Sequence, residues 1–295
     1  KCGRPVKIIM TRADVFKATG PTPSSYVKVK LGADKSGKLL AAQAYIAFAA
    51  GAFPGSPIAP GAICVFSCYA IPNGHVDGYD VVLNKPRSAA YRAPGSTQVN
   101  LAIETLMDEI AEKLGMDPID LRLLNAAEEG TRRVDGAVYP VVGCRETLGQ
   151  AKAHEHYRTP LSGKHQGRGV ATGFWMNAGL KSTVTAHVNE DGTVNLMEGS
   201  TDIGGSRTSI AMQFAEVLGL PAEAINPMVG DTSQVGYTEL TGGSRVTFAT
   251  GWAAHDAAQE VKKILIGKAA LYWEVPEEEV RFEDGDFVHS ADPKK

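Results

Sequence analysis

The feature that most constrains this chain is a polar, glycine-containing turn that occurs three times, each time directly before a helical pattern. Gly-Gly-Ser-Arg occupies residues 204–207 and 242–245, and Pro-Gly-Ser occupies 94–96. The first turn of a helix leaves backbone N–H groups unpaired and carries partial positive charge. Glycine lets a ligand approach these amides without a Cβ in the way. Together the three turns predict walls of a site for a large anionic cofactor.

Each turn also has an ordinary explanation, because Ser and Thr are common N-caps and Gly is common in turns. Arg207 and Arg245 end two of the turns, and Arg92 lies shortly before the third. An arginine beside a helix start can bind phosphate or carboxylate in a bidentate way. The two Gly-Gly-Ser-Arg copies match over only four residues, which argues against a structural repeat. Helix caps and binding walls both remain open.

Composition narrows the class of protein. With 43% hydrophobic residues the chain can bury a substantial core, and its 32 glycines in 295 residues are about one and a half times the usual share. A net charge of −3 gives no reason to expect nucleic acid or an anionic membrane as partner. No apolar run approaches the length of a membrane span.

The four cysteines lack zinc or iron–sulfur spacing. We therefore expect no metal ligands, and buried free thiols in a reducing cytoplasm rather than a disulfide.

Hydrophobic periodicity predicts a mixed α+β fold. Strands are predicted at 6–12, 68–73 and 76–84, a hairpin at 26–53, and a loop at 53–62. From Gln98 the period becomes helical up to Gly115, and a second helix follows with Asp117 as N-cap and Pro118 at its first position. A polar stretch at 128–140 predicts two domains, 1–140 and 141–295.

The second predicted domain begins with a helix at 144–157. A hairpin at 181–199 with its turn at 190–192, the two helices after Gly-Gly-Ser-Arg, and a last hairpin at 280–290 complete it.

Familiar catalytic motifs are missing from the sequence. The Gly-rich segment at 167–173 does not follow a strand, which excludes a dinucleotide fingerprint, and neither H-E-x-x-H nor G-x-S-x-G occurs. Asp202, Asp231 and Glu239 are interpreted as turn or cap residues, so no catalytic acid or base is nominated. The residues by themselves predict a binder of a multi-phosphate or pterin-like anion.

Four motifs carry a resemblance to a known family. They are CYAIPN, AYRAPGSTQVNLAIETLMDEIAEKLGMDPIDLRLLN, TDIGGSRTSIAMQ and TGGSRVTFATG, in this order along the chain. The chain resembles, over essentially its whole length, the molybdopterin-binding large subunits of the xanthine dehydrogenase, aldehyde oxidase and carbon monoxide dehydrogenase family of molybdenum hydroxylases. The resemblance implies two successive molybdenum-cofactor-binding domains, both truncated here.

The resemblance also implies the chemistry and the partners. A molybdenum–molybdopterin cofactor, in the cytosine dinucleotide form, would hydroxylate a C–H bond of an aldehyde, an aromatic thioester or an N-heterocycle with oxygen from water. Electrons would pass to [2Fe-2S] clusters and FAD on an iron–sulfur subunit and a FAD subunit. The remainder of the molybdopterin subunit and a homodimer of the complex complete the expected partners.

Carried over residue by residue, the family motifs assign two groups of residues. Tyr91 and Pro94 are expected to line the substrate pocket. The residues expected to bind the cofactor are Arg92, Ala93, Gly95, Gly204, Gly205, Ser206, Arg207, Thr208, Thr241, Gly243, Ser244 and Thr247.

The chain departs from the family pattern in three places. Pro94 stands where xanthine-type members have an aromatic residue that stacks on a purine, and the Arg that precedes CYxIPN in that branch is missing from APGAICVF. Gly205 stands where many members have Gln. The family's Gly-Glu motif with the catalytic base does not occur, so we expect the base outside this chain, which looks like an internal fragment.

The departures leave two alternatives to an enzyme subunit. One is a non-catalytic or degenerate cofactor-binding or assembly subunit of the same fold, and the other is a generic binder of phosphate ligands.

Overall fold

The structure is a computed structural model that describes residues 2–4, 6–88, 90–283 and 285–291. It divides into two compact units, Lys1–Trp175 and Met176–Lys295. Both units combine helices with a three-stranded sheet, which confirms the mixed α+β class. No helix in the described part is both long and apolar enough to span a bilayer.

The sheet of the first unit begins with the predicted hairpin. Strand β1 (Ser25–Ala33) pairs antiparallel with β2 (Leu39–Gly51), and β3 (Gly74–Val82) pairs parallel with β2. Alternate residues of β2 are buried, including Ala44, Ile46 and Phe48. This period of two is what a strand with one covered face requires.

The helices of the first unit cover and extend this sheet. They are α1 (Arg12–Ala18), α2 (Ile58–Cys64), α3 (Ser96–Leu114), α4 (Pro118–Asn125), α5 (Cys144–Ala153) and α6 (Glu155–Arg158). Helix α3 ends at Gly115, whose positive φ of 64° glycine adopts without cost, and Asp117 caps α4 through the amides of Ile119 and Asp120. The predictions for these two helices are confirmed.

Three predictions for the first unit are wrong. Residues 6–12 form no strand: 6–10 are exposed and Thr11 caps α1 in a capping box with Asp14, so the apolar run finds no strand to pair with. The predicted loop at 53–62 contains most of α2. CYAIPN forms only an isolated bridge between Tyr69 and Ala126.

A buried polar network ties residues near the end of the first unit to α3. The Glu104 carboxylate accepts hydrogen bonds from the Tyr69 hydroxyl, from Nε of Arg122 at 2.9 Å, and from the backbone N and hydroxyl of Thr172. Ser96 also donates to the carbonyl of Phe174. These bonds explain why the first compact unit continues to residue 175. The boundary predicted at 140 stays a prediction.

The second unit repeats the arrangement of a hairpin followed by a parallel strand. Strands β4 (Val184–Val188) and β5 (Val194–Glu198) form the predicted hairpin, and β6 (Ile225–Val229) pairs parallel with β5 after helix α7 (Ser206–Val217). Helix α8 (Gly251–Trp273) packs on α7, and β7 (Val280–Glu283) pairs with β8 (Asp286–His289). Short 3₁₀ turns occupy Ala222–Ala224 and Glu277–Glu279.

The core of the second unit lies between its sheet and the two long helices. Buried members include Val194 and Leu196 of β5, Ile210 and Phe214 of α7, and Ala254 of α8. The helix predicted to begin at Ser244 starts later, because Val246–Thr250 form one π-helical turn before α8. The predicted helix is therefore present with a distorted beginning.

The four cysteines are free thiols. Cys64 and Cys68 are buried as predicted, Cys144 is half-buried, and Cys2 is exposed, contrary to the prediction of burial. Burial raises the pKa of the Cys64 thiol and raises that of Cys68 to about 12, so these two thiols stay protonated and unreactive.

Candidate functional site

The turn before α3 is closed by packing within the first unit. Gly95 has φ of 87°, and a Cβ there would meet the carbonyl oxygen of Pro57 at 2.4 Å and the amide of Gly61 at 2.8 Å. Its N–H donates to the Tyr91 hydroxyl at 3.0 Å. The missing Cβ at Gly95 therefore serves the contact with α2. Contacts of this turn with a cofactor or substrate stay predictions.

The other predicted site residues of this turn differ in exposure and in hydrogen bonding. The Tyr91 hydroxyl also accepts from Nε2 of Gln98, so it is engaged in the turn itself. Arg92 is exposed, Pro94 is half-buried, and Ala93 has a positive φ of 48°, which is uncommon for a residue with a Cβ. The backbone is strained at Ala93, and the guanidinium group of Arg92 lies on the surface of this turn.

The first Gly-Gly-Ser-Arg turn, before α7, is open. Gly204 and Gly205 have φ of 92° and 99°, and a Cβ at either would meet no atom within 4 Å. Their amides and that of Ser206 point at one oxygen, Oδ1 of Asp202, at 3.1, 2.9 and 3.1 Å. Three converging N–H groups at a helix start form an anion-binding nest. Glycine here provides conformation and access rather than packing.

Asp202 is the anion in this nest. Its Oδ2 accepts from Nε of Arg207 at 2.9 Å, while Oδ1 also accepts from the Ser206 hydroxyl. These contacts, the Arg207 hydrogen bond foremost, lower the pKa of Asp202 to about 2. The interpretation of Asp202 as a turn or cap residue is confirmed as a turn residue, and Asp231 likewise closes a turn by accepting from Ser233.

Glu198 was missed by the reasoning from sequence. It is only 1% exposed, and neither carboxyl oxygen has a hydrogen-bond partner among the residues that the structure describes. Burial, followed by the charge of Asp202, raises the pKa of Glu198 to about 7, and Arg207 acts in the opposite direction. A usable signal existed: alternation in β5 places Glu198 on the same face as Val194 and Leu196.

The second Gly-Gly-Ser-Arg turn, before α8, is locked. A Cβ on Gly243 would lie 2.6 Å from Cβ of Ala178, and Ser244 has a positive φ of 57°. Arg245 is 1% exposed. Its guanidinium donates to the Ser182 hydroxyl and to four carbonyl oxygens, those of Gly179, Lys181, Glu239 and Leu240.

Of the two possibilities left open for this turn, Arg245 therefore has the structural one. All three nitrogens of the Arg245 guanidinium donate hydrogen bonds to the surrounding loop. Ser244, by contrast, is exposed, as is Thr247 in the following turn.

The structure brings the two Gly-Gly-Ser-Arg turns together within the second unit. The hydroxyls of Thr201 and Thr241 lie 3.1 Å apart, and Nε2 of Gln213 on α7 donates to the Thr247 carbonyl at 3.3 Å. Thr208 is exposed in the first turn of α7. Among described residues no cluster of His, Cys, Asp or Glu is arranged to hold a metal ion.

Comparison with known families gives a consistent match. The model for the molybdopterin cofactor-binding domain matches residues 1–126, and a second model of the same description matches residues 143–295.

Curated relatives agree with this match. The aldehyde oxidoreductase molybdenum-binding subunit PaoC of Escherichia coli is 32% identical over 78% of this chain and 32% of its own length. The nicotine 6-hydroxylase large subunit of Paenarthrobacter nicotinovorans is 26% identical over 95% of this chain and 38% of its own length. The chain thus spans about a third of the length of these relatives.

Solved structures share the fold. Quinoline 2-oxidoreductase from Pseudomonas putida superposes with a TM-score of 0.84 over 97% of this chain and 40% of its own, at 22% identity. The aldehyde oxidoreductase from Desulfovibrio desulfuricans gives a TM-score of 0.68 over 83% of this chain and 29% of its own, at 28% identity.

Proposed function

Because the chain belongs to the molybdopterin cofactor-binding family, we propose that it forms the cofactor-holding part of a molybdenum-dependent oxidoreductase. The observation that carries this proposal is the open nest before α7, where three backbone amides converge on a carboxylate. The carboxylate of Asp202 stands in for an anionic group of the cofactor. The nest therefore fits such a group in charge and in shape.

The proposed binding residues follow from this geometry. The amides of Gly204, Gly205 and Ser206 donate to the cofactor, and the Nη groups of Arg207, which have no hydrogen-bond partner in the described part of the chain, add positive charge. Thr208, Thr241, Ser244 and Thr247 are exposed beside this nest or in the adjoining turn and supply further polar contacts. Gly243 shapes that adjoining turn. In the first unit, Arg92, Ala93 and Gly95 are the proposed contacts.

The chemistry belongs to the bound group, and the chain positions it. Bound molybdenum–pterin cofactor, in its cytosine dinucleotide form, supplies two-electron oxidation of a C–H bond with oxygen from water. The residues described here bind and orient that group. We assign the catalytic base to protein outside this chain, and the electron acceptors to [2Fe-2S] and FAD subunits of a dimeric complex. The buried thiols of Cys64 and Cys68 fit a reducing compartment, so we place the complex in the cytoplasm.

The substrate is proposed from the names of the relatives and from one departure from the family pattern, at Pro94. Two relatives are named for aldehyde oxidation and nicotine hydroxylation, which supports an aldehyde or an N-heterocycle, with an aromatic thioester as a third class. Pro94 lacks the aromatic ring needed to stack on a purine, which argues against purine oxidation. Tyr91 and Pro94 remain the proposed pocket residues.

Cofactor content tests the proposal directly. The full chain, produced in a host that makes the cofactor, is expected to retain molybdenum and pterin, measured by elemental analysis and by fluorescence of the oxidised pterin. Gly205→Val is expected to lose most of both, because the branched side chain blocks the nest. Gly192→Val is the matched control, since Gly192 has φ of 81° and no atom within 4 Å of a Cβ but lies in the β4–β5 turn.

Two outcomes would contradict the proposal. If the wild-type chain contains no pterin, the chain does not bind the proposed cofactor. If both valine variants lose the cofactor equally, the nest is not where the cofactor binds. Retained cofactor without oxidation of any aldehyde or heterocycle by the assembled complex would favour the non-catalytic alternative.

A further inference from the structure

One face of the sheet in the first unit carries a row of exposed aromatic side chains. Tyr26 of β1, Tyr45 of β2 and Tyr79 of β3 are 61%, 40% and 49% exposed. Their rings contact one another across the strands, with centroids 6.1 Å apart for Tyr26 and Tyr45 and 5.0 Å apart for Tyr45 and Tyr79. The corresponding strands of the second unit contain no Phe, Tyr or Trp. The aromatic row is therefore specific to the first unit.

The opposite face of this sheet is covered by helices. A Cβ on Gly78 of β3 would lie 3.1 Å from Cγ1 of Ile58 in α2, so α2 packs closely on that side. Strands β2 and β3 are parallel, and parallel strand pairs occur mostly in sheets that are covered on both faces. Contiguous exposed aromatic surface marks an interaction site. A partner surface is therefore expected over the three tyrosines.

The register of the strands arranges this surface, here called the tyrosine face, as three rows of three residues. Alternate residues of a strand share a face, and paired residues lie side by side. The first row is Tyr26, Ala47 and Tyr79, the second is Lys28, Tyr45 and Asp77, and the third is Lys30, Gln43 and His75.

The charges of the tyrosine face are divided between its two edges. Lys28 and Lys30 lie on β1 and form no ion pair within the described part of the chain. Asp77 lies on β3, where its side chain is 42% exposed and contacts Nε2 of His75 at 3.1 Å. The β1 edge is therefore positive, and the β3 edge carries a carboxylate that can still accept a hydrogen bond.

A two-fold axis that runs along β2 makes the tyrosine face complementary to itself. In such a pair β1 of one copy lies over β3 of the other, so each Lys28 faces Asp77 of the second copy. Tyr45 lies on the axis, and Tyr26 faces Tyr79. An axis across the strands would instead place Lys28 on Lys28 and Asp77 on Asp77, which like-charge repulsion disfavours.

We propose that the tyrosine face binds a second copy of this chain, with β1 of each copy over β3 of the other. The charge pattern decides the occupant, because the pair of Lys28 and Asp77 forms twice across the axis. None of these residues belongs to the proposed cofactor-binding set, so the inference goes beyond the proposed function.

The size of the tyrosine face sets the strength of the dimer. Three strands about 4.8 Å apart and about 30 Å long cover about 14 by 30 Å, or about 850 Å² for both copies together. Stable specific interfaces bury about 1,200 Å² or more. The dimer is therefore weak, and its population depends on the protein concentration.

Sedimentation velocity of the full chain over a series of concentrations measures this association. The weight-average sedimentation coefficient is expected to rise from the monomer value toward that of a dimer. Tyr45→Ser is expected to remove most of this rise, because the contact on the axis is lost. A wild-type chain that stays monomeric at every concentration overturns the proposal and leaves the tyrosine face to a different protein.

Charge reversal tests the orientation of the two copies. Lys28→Glu and Asp77→Lys are each expected to weaken dimerisation about tenfold, because like charges then face each other at two places. The double variant with both changes is expected to return to within about twofold of the wild type. Lys35→Glu is the matched control, since Lys35 is exposed in the β1–β2 turn, outside the tyrosine face.

Two results would contradict the proposed arrangement. Equal weakening by Lys28→Glu and Lys35→Glu would show a general effect of charge, and a double variant that stays monomeric would show that Lys28 and Asp77 do not face each other. If Asp77→Lys does not fold, the comparison of the two lysine variants decides. Pterin content separates this inference from the proposed function: a chain that retains pterin but never dimerises overturns only the dimer.

Discussion

The two Gly-Gly-Ser-Arg turns have the same four residues and opposite surroundings. In the first, Arg207 is half-exposed and pairs with Asp202, and both glycines face open space. In the second, Arg245 is buried against four carbonyl oxygens, and Gly243 leaves no room for a Cβ beside Ala178. The first turn is open to solvent, and the second holds the loop around it in place.

The difference teaches that solvent access to a turn is not set by its local sequence, which is the same in both copies. The Thr201 and Thr241 hydroxyls lie within hydrogen-bonding distance of each other, so the rigid turn can support the open one. A rigid neighbour is what keeps a binding residue in position.

The largest expected effect on the free energy of unfolding comes from replacing the two arginines. Arg245→Ala should lower the free energy of unfolding by about 4 kcal/mol, because several buried carbonyls lose a charged donor at once. Arg207→Ala should cost less than about 1 kcal/mol, as for an exposed ion pair. Urea denaturation followed by circular dichroism measures both. Similar losses in the two variants would mean that the turns do not differ in this way.

A smaller effect is the pH dependence of stability that comes from Glu198, the last residue of β5 before the first turn. The pKa of Glu198 rises from 4.5 to about 7 on folding, so the folded chain binds more protons than the unfolded chain in this interval. The stabilising contribution is therefore complete below about pH 4.5 and is lost as pH rises through 7, by roughly 3 kcal/mol.

This pH effect is isolated by comparing the wild type with Glu198→Gln at pH 5 and pH 8. The difference in unfolding free energy between the two proteins should change between these pH values, since glutamine does not titrate. A constant difference would show that Glu198 has an ordinary pKa.

The smallest expected effect is on the glycines. Gly243→Ala should cost about 2 kcal/mol, from a positive φ of 72° together with the clash at Ala178. Gly205→Ala should cost about 1 kcal/mol, from backbone strain alone. Thermal denaturation resolves this difference. A greater loss for Gly205→Ala would indicate that the first turn is the tighter of the two.

Much of the fold follows from the sequence. Period-two and helical patterns, with caps such as Asp117 and stops such as Gly115, predict the hairpins and most of α3, α4 and α7, because these signals act within a few residues. The apolar run at 6–12 misled this reasoning, since strands also need a partner. The helix start predicted at Ser244 is too early, because Val246–Thr250 form a π-helical turn before α8.

The candidate site, like the fold, is determined partly by the sequence and partly by the tertiary structure. The sequence by itself determined where α3, α4 and α7 begin, that glycines and arginines lie near the starts of α3 and α7, and the family of the chain. Tertiary structure alone decided which starts are open, because burial depends on distant residues: Pro57 closes Gly95 and Ala178 closes Gly243. It also decided that the Glu198 carboxyl is buried without a hydrogen-bond partner in the described part of the chain, since such partners come from neighbours in space.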